Sequence, residues 1–126
     1  MSSLVNALLV ATGGAAGALL RSAVDALTER IGVAAPFGTL AVNVCGSFAA
    51  GLVATLIAER IALPEAARPL LLVGLLGGFT TFSAFALQLS RMGEGGEFMQ
   101  LAAYATGSVL LGVAAATAGV AIARAL

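Results

Sequence analysis

Four long uncharged stretches constrain the fold of this chain more than any other feature. The six arginines and six acidic residues lie between these stretches or beside them. The uncharged stretches are residues 1–20, 31–58, 69–90 and 98–123. A helix of about 20 apolar residues is long enough to cross a bilayer core of about 30 Å. The pattern therefore predicts an all-α integral membrane protein.

The predicted architecture is a single domain, residues 1–126, with four transmembrane helices. Of the 126 residues, 60% are hydrophobic and only 10% are charged, which excludes an ordinary soluble domain. No basic residue precedes Arg21, so we expect no cleaved signal peptide. The helices are predicted near residues 4–27, 37–58, 69–90 and 98–123.

Composition also excludes several classes of activity. The chain has no histidine, and its one cysteine, Cys45, lies inside the second uncharged stretch, which excludes transition-metal and Cys–His sites. The net charge is zero and no basic patch is present, so no nucleic-acid partner is expected. Without histidine or an acid in the uncharged stretches, no nucleophile–base pair is available, and no enzymatic activity is predicted.

The third uncharged stretch has an unusual centre. Its midpoint reads Gly77-Gly78-Phe79-Thr80-Thr81, and glycine is a poor helix former. A break in the third helix is therefore predicted there. Backbone that leaves the helix at this depth survives only where protein or a water-filled path covers it. The break is thus either a packing surface or an ion site.

A polar stripe follows the second helix. Thr39, Asn43 and Ser47 recur at every fourth residue and share one face. Placing a side-chain amide in the hydrocarbon core of a membrane costs free energy unless the amide is hydrogen-bonded. Asn43 therefore either bonds a neighbouring helix or donates to a passing anion.

Aromatic and hydroxyl side chains form a second polar group. Phe82 and Phe85 lie three residues apart beside Ser83, so both rings project from a similar face. They either face lipid and core or turn their positive ring edges toward an anion. Tyr104 and Ser108, four residues apart on the fourth helix, either bond a neighbouring helix or donate along the same path.

The first helix combines small residues with one arginine near the membrane edge. Gly13, Gly14, Gly17 and Ala18 allow another helix to approach closely, which predicts a packing surface. Arg21 is either an interfacial anchor that extends to the water or a positive charge at the mouth of an anion path.

The arginines are divided evenly between the two sides of the membrane. Three lie on the side of the termini and three on the opposite side: Arg60, Arg68 and Arg124, against Arg21, Arg30 and Arg91. Such a tie gives the positive-inside rule no preference, so insertion in both orientations is predicted. Two opposed copies would pair about an axis near Phe79. Carbonyl oxygens freed at the two breaks would then suit a small, hard cation.

Three segments carry a family resemblance. Residues 14–21 (GAAGALLR), 37–48 (FGTLAVNVCGSF) and 77–85 (GGFTTFSAF) resemble the three signatures of the Fluc family of fluoride channels, also called CrcB. The resemblance spans nearly the whole chain. It implies an antiparallel, dual-topology homodimer with two fluoride pores and a structural Na⁺ at its centre.

The resemblance also implies roles for individual residues. The backbone carbonyls of Gly77 and Thr80 are expected to hold the Na⁺. The fluoride pathway is expected to include Asn43, Phe82, Phe85, Ser83, Tyr104, Ser108, Thr39 and Arg21. The implied function is passive, fluoride-selective export across the inner (plasma) membrane, which relieves fluoride toxicity. The implied partners are a second copy, fluoride and membrane lipid.

Two other classes of membrane protein share some of these features. A small, dual-topology, proton-coupled multidrug-type exporter has the same size and number of helices, but it needs a carboxylate in the membrane. None of the four uncharged stretches has one. A purely structural membrane protein would explain the glycines, but it leaves the Asn43 stripe and the Phe82–Phe85 pair without a task.

Overall fold

The computed structural model describes residues 1–60 and 62–126, and in these residues the chain is entirely helical apart from turns and short connections. Four helices are long and apolar enough to cross a membrane: Ser3–Arg30, Ala35–Arg60, Arg68–Glu94 and Phe98–Ala125. We refer to them as the first to fourth helices. The prediction of four membrane-spanning helices is confirmed. The first helix continues past Leu27 to Arg30, so its last turns carry Asp25 and Glu29.

Short connections join these helices. The first helix begins after Ser2, whose hydroxyl accepts a hydrogen bond from the Val5 amide at 3.3 Å. The second helix has Pro36 in its first turn, where a missing amide proton costs nothing. Gly32 and Gly96 have positive φ angles of 73° and 71°, which glycine adopts without steric cost. These two glycines close the turns on the side of the membrane opposite the termini.

Glycines bring the first and third helices into contact. The first part of the third helix, Arg68–Leu76, is π-helical and packs on the first helix. A Cβ atom on Gly13 would overlap the Leu70 carbonyl, and one on Gly17 would overlap the Leu75 carbonyl. The predicted packing surface of small residues on the first helix is therefore confirmed at these two positions.

The third helix loses its regular form beyond its glycines. It is α-helical over Gly77–Phe79 and again over Ser83–Glu94. Between these segments, Thr80 is extended, with φ −80° and ψ 156°. Of the residues over which the break was predicted, Gly77–Thr80, the first three are helical and Thr80 is extended. Gly78 has a packing role, because a Cβ atom there would overlap the backbone of Gly14.

Candidate ion-conduction site

The side chain of Asn43 binds both backbone polar groups of Thr81, its N–H and its C=O. Asn43 Nδ2 donates to the Thr81 carbonyl at 2.9 Å, and Asn43 Oδ1 accepts from the Thr81 amide at 2.8 Å. The second helix is thereby joined to the non-helical residues of the third. An amide NH₂ group has two protons, and this arrangement uses one of them. The interhelical hydrogen bond expected as one role of Asn43 is present, and one N–H is left over.

These bonds change the partners of neighbouring carbonyls. In a continuous α-helix the Thr81 amide would bond the Gly77 carbonyl, and the Ala84 amide would bond the Thr80 carbonyl. Instead the Thr81 amide bonds Asn43, and the Ala84 amide bonds Thr81 Oγ1 at 3.2 Å. Two carbonyl oxygens in the middle of a membrane helix are thus released from their helical partners. Such oxygens are ligands that a small, hard cation accepts.

Arg21 reaches the same part of the third helix. Its Nε donates to the Gly78 carbonyl at 3.2 Å, and this carbonyl would bond the Phe82 amide in a continuous helix. The bond ties the first helix to the third close to the released carbonyls. The position of Arg21 at the mouth of an anion path stays a prediction.

An open cavity of about 370 Å³ lies beside the non-helical residues. It is lined by the following residues of the second and third helices: Asn43, Gly46, Ser47, Ala50, Leu72, Leu76, Gly77, Thr80, Thr81 and Phe82. Phe82 is 78% exposed on this side of the chain. The amide of Asn43, the released carbonyls of Gly77 and Thr80, and the ring of Phe82 therefore belong to residues that line one open cavity.

Three aromatic rings lead inward from this face. The ring centres of Phe82 and Phe85 are 5.7 Å apart at an interplanar angle of 60°, and those of Phe85 and Tyr104 are 5.1 Å apart at 75°. Both pairs are edge-to-face, the arrangement in which a positive ring edge meets a negative face. Phe85 is only 8% exposed and links the outer ring to the fourth helix.

Beyond the rings lies a chain of neutral hydrogen-bonding groups. Tyr104 donates its hydroxyl proton to Gln88 Oε1 at 2.6 Å, and Gln88 Nε2 donates to Thr39 Oγ1 at 2.8 Å. Thr39 is 4% exposed, so this series of hydrogen bonds lies within the helix bundle. Gln88 was not among the residues predicted from the sequence. The signal was present, because an amide in an uncharged stretch needs a partner as much as Asn43 does.

A second cavity opens where this series of hydrogen bonds ends, beside Thr39 and Gln88. Its volume is about 390 Å³, and its lining includes Thr39 and Gln88 together with Asp25 and Glu29 of the first helix. The rings and hydroxyls therefore lie between two cavities. The polar groups along this route are uncharged until the carboxylates at the second opening.

The remaining predicted residues are placed less centrally. Ser83 is exposed, and its hydroxyl lies 3.4 Å from that of Thr81. The Ser108 hydroxyl is buried and has no hydrogen-bond partner within residues 1–60 and 62–126. The structure thus brings Thr39, Phe85 and Tyr104 together but gives Ser108 no bond to them.

Comparison with known proteins identifies the family of this chain. A family model described as "CrcB-like protein, Camphor Resistance (CrcB)" matches residues 8–120. A Rhizobium leguminosarum bv. trifolii protein named fluoride-specific ion channel FluC is 51% identical over 124 residues, which are 98% of this chain and 99% of that protein. A Paracoccus denitrificans protein of the same name is 47% identical over 119 residues, or 94% of each chain. Because the family model and both relatives match nearly the whole sequence, the chain belongs to the CrcB family.

Proposed function

We propose that this chain forms a passive, fluoride-selective ion channel in the plasma membrane. It is a multi-pass membrane protein, and relatives that match nearly its full length are named fluoride-specific ion channels. The observation that supports the proposal most strongly is the line of neutral donors and ring edges between the two cavities. The physiological role would be export of fluoride, which relieves its toxicity.

The chemistry of this line suits a small, strongly hydrated anion. Hydroxyl and amide protons replace hydration water, and positive ring edges supply weaker stabilisation between them. Asn43 offers its unused N–H at the first cavity, and Thr39, whose oxygen accepts from Gln88, keeps its own hydroxyl proton further in. Tyr104 would have to turn its hydroxyl proton from Gln88 toward the ion. No arginine lies in the line to trap the ion. Closely spaced, fixed donors favour the smaller halide, which is the basis proposed for selectivity over chloride.

The functional unit that we propose is an antiparallel, dual-topology homodimer. The equal numbers of arginines on the two sides support insertion in both orientations. The exposed Phe82 beside the first cavity supports a second copy on that face, since the single chain leaves this ring uncovered. Each copy would then contribute a pathway of its own.

A structural Na⁺ at the dimer centre completes the proposal. The Gly77 and Thr80 carbonyls fit such an ion, because the amides that would bond them in a helix are bound elsewhere. No cluster of three or more His, Cys, Asp or Glu residues offers another metal site in the part of the chain that the structure describes. When bound, the ion would supply a positive charge that joins the carbonyls of the two chains.

A proton-coupled multidrug-type exporter is not favoured by the relatives or by the charges. Asp25 and Glu29 lie in the last turns of the first helix, beside a cavity opening, and the four uncharged stretches contain no acid. We expect fluoride to leave protein-containing liposomes along its own gradient with no pH difference and with a proton ionophore present. Efflux that needs an imposed proton gradient would contradict the channel.

A further inference from the structure

We infer that the side chains of Asn43 and Thr81 prepare the cation site by taking the two amide protons that would otherwise bond the Gly77 and Thr80 carbonyls. Both are positioning residues in this role, because neither needs to touch the ion. The inference rests on the proposed Na⁺ site and adds to it a link with the fluoride pathway, since Asn43 borders both.

The first carbonyl is released by Asn43. Its Oδ1 accepts the Thr81 amide proton at 2.8 Å, and its Nδ2 holds the carbonyl of the same residue at 2.9 Å. These two bonds hold the N–H and the C=O of the same residue, so they fix the backbone of Thr81 in place and prevent its amide from closing the helix on Gly77. Without the Asn43 side chain, the nearest acceptor for the Thr81 amide is the Gly77 carbonyl of a resumed helix.

The second carbonyl is released by the hydroxyl of Thr81. Thr81 Oγ1 accepts from the Ala84 amide at 3.2 Å, as a capping side chain does at the start of a helix. The Ala84 amide is therefore not available to the Thr80 carbonyl. The Thr81 hydroxyl thus takes an amide in the first turn of the segment Ser83–Glu94 and leaves the Thr80 carbonyl free for the ion.

The effect of the Thr81 hydroxyl depends on the bond that Asn43 makes. Asn43 positions the peptide of Thr81, and the hydroxyl of Thr81 then lies where the Ala84 amide reaches it. Gly77 and Thr80 line the open cavity, and a second copy on that face would take their carbonyls out of water. A buried carbonyl without a partner costs free energy, so a cation bound to the released pair would then stabilise this conformation. Cation binding and the placement of Asn43 in the fluoride pathway should therefore be coupled.

Na⁺-dependent thermal unfolding of the purified protein tests this inference. Four variants are compared with the wild-type chain: Asn43→Ala, Thr81→Val, Thr81→Ser and Ser47→Ala. Valine keeps the shape of threonine but has no acceptor, whereas serine keeps the hydroxyl. Ser47 lines the same cavity one turn from Asn43 and is the matched control on the polar stripe. NaCl is titrated against N-methylglucamine chloride at constant ionic strength.

We expect the wild-type unfolding temperature to rise with Na⁺, because an ion that binds the folded state stabilises it. Asn43→Ala and Thr81→Val should raise the half-saturating Na⁺ concentration by about tenfold or more, whereas Thr81→Ser and Ser47→Ala should keep it within about twofold. A wild-type response that both Asn43→Ala and Thr81→Val retain would overturn this inference alone. No wild-type response would overturn the Na⁺ site and the inference together. If Asn43→Ala does not fold, the half-saturating Na⁺ concentration of Thr81→Val is compared with that of Thr81→Ser, and equal values overturn the inference.

Discussion

At the scale of the residue, two side-chain amides form hydrogen bonds between helices. Asn43 bonds the backbone of Thr81, and Gln88 joins the hydroxyls of Thr39 and Tyr104. The sequence predicted a partner for Asn43 because its stripe was visible at helical spacing. It did not reveal that the partner was a backbone peptide, since that depends on where the third helix opens. Gln88 was missed because its two partners, Thr39 and Tyr104, lie on two other helices and only the fold brings them together.

Replacing Gln88 should interrupt the chain of donors. Gln88→Leu leaves the hydroxyls of Thr39 and Tyr104 without their common partner, and an unsatisfied buried group costs about 1–3 kcal/mol. We expect fluoride efflux from liposomes to fall by about tenfold. Gln100→Leu is the control, because Gln100 is an exposed amide at the start of the fourth helix. Equal efflux from the two variants would remove Gln88 from the pathway.

The aromatic pairs make a separate prediction. Phe85→Ile removes a ring that contacts both Phe82 and Tyr104 edge-to-face, interactions worth about 0.5–1.5 kcal/mol each. Phe85→Ile and Phe82→Ile should both slow fluoride efflux. Phe37→Ile should not, because Phe37 is 65% exposed and belongs to neither ring pair. If both pathway variants conduct like the wild type, ring edges play no part in conduction.

At the scale of the element, the third helix divides its tasks between glycine and threonine. Gly78 admits the backbone of the first helix, and the extended residue is Thr80. The sequence indicated that the segment from Gly77 to Thr81 is unusual, but it did not separate the task of the glycines from that of the threonines. Helix propensity alone cannot separate a glycine needed for close packing from one that ends a helix. The close approach depends on the fold of a distant segment, and so do the two hydrogen bonds from Asn43 to the backbone of Thr81.

A pair of glycine variants tests the packing role. Gly17→Ala places a Cβ against the Leu75 carbonyl, and overpacking of this kind costs about 1–3 kcal/mol. Gly107→Ala places a Cβ in open space, with no atom of the described residues within 4 Å. We expect a lower thermal unfolding temperature for Gly17→Ala and no loss for Gly107→Ala. Similar unfolding temperatures would mean that the first and third helices are not held as closely as the structure indicates.

At the scale of the whole molecule, four helices were predictable because uncharged length decides membrane insertion. The single chain buries few side chains, and Val42 is the largest of those less than 2% exposed within the described residues. Much of the apolar surface therefore faces lipid or a second copy. Which part faces the copy depends on contacts between chains, and these leave no periodic pattern in one sequence.

Shifting the arginine balance should bias orientation. Leu63→Lys adds a positive charge on the side of the termini, and Gly95→Lys adds one on the opposite side. Each variant alone should insert one way and lose fluoride efflux in cells, while co-expression of the two should restore it. Full activity of either variant alone, with its orientation verified by labelling, would contradict an antiparallel dimer.

Fluoride and chloride efflux from liposomes that contain the purified protein tests the central claim most directly. Ion-selective electrodes follow each halide after an ionophore removes the electrical potential. A line of closely spaced neutral donors predicts rapid release of fluoride and retention of chloride by the same liposomes. Equal release of both halides, or release of neither, would contradict a fluoride-selective channel.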